Sequence, residues 1–66
     1  MDLIVNGDKI STNENSSLEQ IMIELEIIDK VMAAAINMEI VKKEDWSSVT
    51  PKDNDKIELL QFVGGG

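Results

Sequence analysis

Apolar residues alternate with polar ones at both ends of the chain and recur every three to four positions near its middle, so strands are expected at the ends and a helix inside. Residues 2–6 read as a strand, with Leu3 and Val5 on one face and Asp2, Ile4 and Asn6 on the other. Asn6-Gly7 is a strong hairpin signal, because a two-residue type I′ turn needs positive φ at both central positions. The chain is expected to return as a second strand over roughly 8–12 and to pass through a polar loop at Asn13-Glu14-Asn15-Ser16. Ser17 then suits a helix N-cap; Gln20, three residues on, completes a capping box, and Glu19 suits the positive end of the dipole. Leu18, Ile21, Met22 and Leu25 form one apolar stripe at helical spacing. A helix of about ten residues is marginal alone and must pack on something. Ile27 and Ile28 are expected to close it against the core before a turn at Asp29-Lys30.

The run Val31-Met32-Ala33-Ala34-Ala35-Ile36-Asn37 fits either a helix, by its alanines, or a buried strand, by its length between turn signals. We assign a strand: the helix needs a sheet to cover, and small alanines let the two lie close. A turn at Asn37-Met38-Glu39 and a short return strand at Ile40-Val41 follow. Residues 42–48 are polar apart from Trp46, which reads as a lid on one end of the core. Thr50-Pro51-Lys52-Asp53-Asn54-Asp55 turns the chain into a last strand, Lys56 to Val63. The order strand–strand–helix–strand–short strand–strand gives an α+β layer: a mixed sheet of about five strands with one main helix across it, the first and last strands side by side in its centre. That is a β-grasp, expected over residues 1–63 with a flexible glycine tail at 64–66.

Composition narrows what such a domain can do. Sixty-six residues make one small domain near the lower limit for a self-sufficient core. Thirteen acids against six lysines, with no arginine, leave a formal charge of −7, which argues against a nucleic-acid partner and suits a basic one. There is no histidine, cysteine or tyrosine, so the usual triads, thiolate metal sites and phosphate clamps cannot be assembled. No metal and no bound cofactor are expected of the chain itself, nor is independent catalysis. The N-terminal residues lack the basic start and apolar run of a signal peptide, and no apolar stretch approaches the roughly 18 residues of a membrane span, so a cytoplasmic protein without a membrane partner is expected.

The last strand carries the functional clue. If Ile57 and Leu59 face the helix, Leu60 and Phe62 face out, beside Ile4 of the first strand. An exposed apolar patch on so small a domain is expected to be a docking surface formed by Ile4, Leu60, Phe62 and Val63. Gly64, Gly65 and Gly66 follow; without Cβ atoms they add little to a core, but they let an extended backbone thread a narrow channel and set the Gly66 carboxylate inside it.

Taken in order, these pieces resemble the ThiS family of ubiquitin-like sulfur carriers of thiamin biosynthesis. The resemblance runs over nearly the whole chain: the Asn6-Gly7 hairpin, the Ser17-Leu18-Glu19-Gln20-Ile21 helix start, Ala34-Ala35-Ile36-Asn37, Ile40-Val41 before Trp46, Asp53-Asn54-Asp55-Lys56-Ile57-Glu58 and the closing glycines. Met38 departs from it where a glycine commonly follows the asparagine, which leaves the type of that turn open, and Asn54 stands where the family commonly has glycine. The resemblance implies that a ThiF-type adenylating enzyme, using ATP and Mg, activates the Gly66 carboxylate. It implies further that sulfur from a donor such as a cysteine desulfurase converts it to a thiocarboxylate, and that a ThiG-type thiazole synthase takes the sulfur. Two neighbouring readings share the tail: a MoaD-type small subunit of molybdopterin synthase, and a ubiquitin-like modifier whose Gly66 is joined to a lysine.

Overall fold

A computed structural model describes residues 1–62; Val63 and the glycines expected to form the tail, residues 64–66, lie outside the described residues. Strand β1 (Asp2–Val5) and strand β2 (Asp8–Ser11) form an antiparallel hairpin. Helix α1 (Leu18–Glu24) follows. After a 3-10 turn at Ile28–Lys30 come β3 (Val31–Ile36) and β4 (Glu39–Val41), a second antiparallel hairpin. A 3-10 turn at Lys43–Asp45 and a loop lead to β5 (Lys56–Gln61). The sheet has five strands in the order β2-β1-β5-β3-β4, with β5 parallel to β1 and antiparallel to β3. The expected β-grasp is therefore found, with the last strand in the middle of the sheet.

One face of the sheet carries the core. Leu3 and Val5 from β1, Val31 and Ala34 from β3, and Ile57 and Leu59 from β5 are buried together with Leu18, Ile21 and Met22 of α1. Both turns work as their asparagines demand: Asn6 and Gly7 have φ of 49° and 87°, and Asn37 and Met38 have φ of 48° and 71°. The second pair shows that methionine occupies a left-handed position that glycine fills more cheaply, by about 1–2 kcal/mol.

The capping box at the helix start is present: the Gln20 amide donates to Ser17 Oγ at 3.1 Å, and the Ser17 amide donates to Gln20 Oε1 at 2.9 Å. The two preceding helix amides, of Leu18 and Glu19, donate to the carbonyls of Val49 and Trp46. The far end differs from expectation. The helix has seven residues, not about ten, because Glu26 adopts a φ of 59°. The Ile27 amide then donates to Met22 O and the Glu26 amide to Ile23 O, the paired bonds of a Schellman end. Ile27 and Ile28 do pack against the core, but from beyond the helix. Trp46 is more than a lid. It is 2% exposed within the core cluster, and its indole Nε1 donates to Val41 O at 3.0 Å.

Candidate functional site

The site is built on β5, whose residues alternate between two environments. Ile57 and Leu59 are 1% and 6% exposed under the helix, whereas Leu60 and Phe62 are 61% and 60% exposed on the opposite side. The period-two reading of this strand holds on both faces. The pairing register then shows what surrounds Leu60: Ala33 lies across from it on β3, Ala35 lies across from Glu58, and Ile40 on β4 lies across from Ala35. Small alanines between larger neighbours leave a shallow groove of about 330 Å³, lined by Ala33, Ala35, Ile40, Glu58, Leu60 and Asn6. Ile40 is 75% exposed, and Met32, at the irregularity in the β3–β5 register, is also exposed.

Three expectations change here. The alanines of β3 do not all let the strand approach the helix. Only Ala34 is buried in the core, while Ala33 and Ala35 pair with outward residues of β5 and floor the outer groove. Ile40 was not among the expected docking residues, although its place opposite an outward alanine puts it on the same surface. Ile4 shares that face but does not lie beside Leu60. It is half-buried and in register with Lys56, four positions before Leu60 and thus about 13 Å away along the strand. Of the remaining expected site residues, Val63, Gly64, Gly65 and Gly66 lie outside the described residues.

Side-chain amides hold β5 where neighbouring backbone leaves it. β1 pairs with β5 only through Ile4 and Val5 before turning away at Asn6-Gly7. At that point the Leu59 amide donates to Asn6 Oδ1 at 2.8 Å, and Asn6 Nδ2 donates to Leu59 O at 3.1 Å. The carboxamide thus replaces the peptide unit that β1 no longer supplies. At the start of the strand Asn37 acts with both backbone and side chain: its amide donates to Lys56 O at 2.7 Å, the Lys56 amide donates to Asn37 Oδ1 at 3.0 Å, and Asn37 Nδ2 donates to the Asp55 carboxylate at 2.9 Å. At the far end the Phe62 amide donates to Lys30 O at 2.6 Å, carrying the β3 side of the ladder past Gln61.

The groove holds apolar and small residues, one carboxylate, that of Glu58, and one amide, that of Asn6. Among the described residues no three His, Cys, Asp or Glu side chains come together in a set that could hold a metal ion, and no helix is long and apolar enough to cross a membrane. What the arrangement can do is bind a partner by its outer sheet face while the central strand runs on towards the glycines.

A β-grasp body with this strand order, its central strand bare on the outside and continued in sequence by a glycine run, defines a ubiquitin-like protein. A crystal structure of a thiamine biosynthesis protein (ThiS) from Geobacter metallireducens has the same fold, with a TM-score of 0.81 and 30% identity over all of both chains. The sulfur carrier protein ThiS of Bacillus subtilis is 29% identical over 65 residues, which cover 97% of this chain and 98% of the relative. A thiazole synthase of Paramagnetospirillum magneticum is 33% identical over the whole of this chain, which spans only 20% of that protein's length. The ThiS family itself matches residues 3–66. The chain belongs to the ThiS family.

Proposed function

We propose that the chain carries sulfur for the formation of the thiazole ring of thiamin, and that its working group is the α-carboxylate of Gly66. The observation that carries this reading is the ThiS match, which runs through the glycine segment to residue 66. A carboxylate is a poor electrophile until one of its oxygens becomes part of a leaving group. In the proposed sequence a ThiF-type enzyme, with Mg and ATP, joins the carboxylate to AMP and releases pyrophosphate. The terminal sulfur of a persulfide, formed by a donor such as a cysteine desulfurase, then bonds to the acyl carbon as the C–O bond to AMP breaks, and a thiol reductant cleaves the S–S bond of the resulting acyl disulfide. The thiocarboxylate that remains passes its sulfur to a ThiG-type thiazole synthase. The thiazole synthase in which about 20% of the length is similar to this chain supports that choice of acceptor over molybdopterin synthase.

The chain's own part in this chemistry is to bind and to present. Three glycine residues reach only about 10 Å when extended, so the body must dock close to the partner's active site. We place that docking on Leu60 and Phe62, extended by Ile40 across the alanine-floored groove, with Val63 next in sequence and Ile4 at the margin. Gly64 and Gly65 supply a backbone narrow enough for a channel. Catalysis, ATP and Mg belong to the partners.

The test is intact-mass measurement after incubation with a ThiF-type enzyme, Mg-ATP and a sulfur donor. Exchange of one oxygen for sulfur at the C-terminus is the expected result, and it should vanish when Gly66 is deleted although the fold persists. An unchanged mass with an enzyme shown to be active, or sulfur gained without Gly66, overturns the proposal. Adducts to lysines of other proteins would instead favour a modifier.

A further inference from the structure

We infer that Asn6 is a positioning residue for the transfer chemistry: its carboxamide grips β5 at Leu59 and so fixes the direction in which the strand delivers the glycine segment. The inference rests on the carrier reading above for its functional half, and on geometry for the rest. β5 is the only strand that runs from the centre of the described sheet towards Gly66, and β1 abandons it early, after pairing Val5 with Ile57. Past that point the edge of β5 facing β1 has one described pair of partners, the two hydrogen bonds between Leu59 and the Asn6 side chain. The other edge is held by Ala33 opposite Leu60, Val31 opposite Gln61 and the Phe62–Lys30 bond. With one edge gripped alone, the last residues of β5 would be free to swing about the β3 ladder. With both gripped, Gln61 and Phe62 leave the body along one line.

Asn6 does this at no cost to the hairpin, because asparagine tolerates the positive φ of the turn. Its side chain is the right length to stand where a peptide unit would, offering one donor and one acceptor at once. Asparagine here therefore has two separable jobs, and glycine can take over one of them. Asn6→Gly keeps the turn conformation while removing the carboxamide. Asn6→Asp keeps the size and the acceptor but sets a carboxylate oxygen against the Leu59 carbonyl.

Both variants should be compared with the parent by amide relaxation and in the adenylation reaction with a ThiF-type enzyme and Mg-ATP. Order parameters at Gln61 and Phe62 should fall from about 0.85 in the parent towards about 0.6, and the Leu59 amide should exchange faster while that of Ile57 keeps its protection. In the kinetics the carrier is the varied substrate, so a smaller folded fraction raises KM alone. Mispositioning should instead lower kcat, by about fivefold, at a KM within about twofold of the parent. Unchanged order parameters at Gln61 and Phe62 in both variants, or a parent-like kcat with only KM raised, overturn the inference. A parent chain that is not adenylated at all overturns the carrier reading instead, and the relaxation data still decide whether Asn6 directs the strand end.

Discussion

Both faces of β5 and its continuation to Phe62 carry large apolar residues, and these do opposite things. Ile57 and Leu59 are sealed beneath α1, while Leu60, the next residue, and Phe62, just past the strand, stand more than half exposed. Hydrophobicity alone does not separate them. What separates them is the layer on each side: a helix, Trp46 and the loop ends cover the inner face, while among the described residues the outer face has only its own neighbouring strands. The inner apolar groups stabilise the fold. The outer ones are exposed and make up the face proposed above for docking.

The comparison can be attacked from either side, and the largest effect is expected on the inner face. Leu59→Ala should cost about 2–5 kcal/mol of stability, measured by denaturant unfolding, because it removes buried methyls and leaves a cavity under the helix. A loss below about 1 kcal/mol would mean the inner face is less tightly packed than its burial implies. Phe62→Asp should do the reverse. Docking to a ThiF-type enzyme, the proposed partner, is expected to weaken about tenfold, as binding by calorimetry would show, with stability held within about 0.5 kcal/mol. Unfolding of this variant would invert the assignment of faces.

Met38→Gly tests the turn beside the outer face: relief of the left-handed methionine should raise stability by about 1 kcal/mol, and an unchanged melting temperature would show that the neighbouring structure absorbs that strain. The smallest effect is expected at Ile4. Because it faces Lys56 rather than Leu60, Ile4→Ser should change docking by less than about twofold. A loss as large as that of Phe62→Asp would return Ile4 to the centre of the surface.

The alternation that sorts Leu59 from Leu60 can be read from sequence because a strand's side chains have a strict period of two. The capping box was legible for a similar reason: Ser17 and Gln20 satisfy each other locally. Features that depend on the exact register between two segments were not. Leu60 and Ile4 share a face, but their separation is set by the parallel register of β1 and β5, which no short stretch encodes. The outward placing of Ala33 and Ala35 likewise needs the β3–β5 register. The helix end was missed because its left-handed residue is Glu26, where a glycine would have announced it. The grip of Asn6 on Leu59 was hidden because Asn6-Gly7 is already accounted for as a turn, and nothing nearby hints at a second task.

The central position of β5 has a mechanical consequence. A partner that draws the glycines into a channel pulls along this strand, away from the body. The bonds to β1, Asn6 and β3 lie across the direction of pull, so they carry the tension together rather than opening one after another. A load applied at the last residue should therefore leave the domain folded until the whole ladder yields in a single event. Single-molecule stretching that peeled β5 away residue by residue would contradict this.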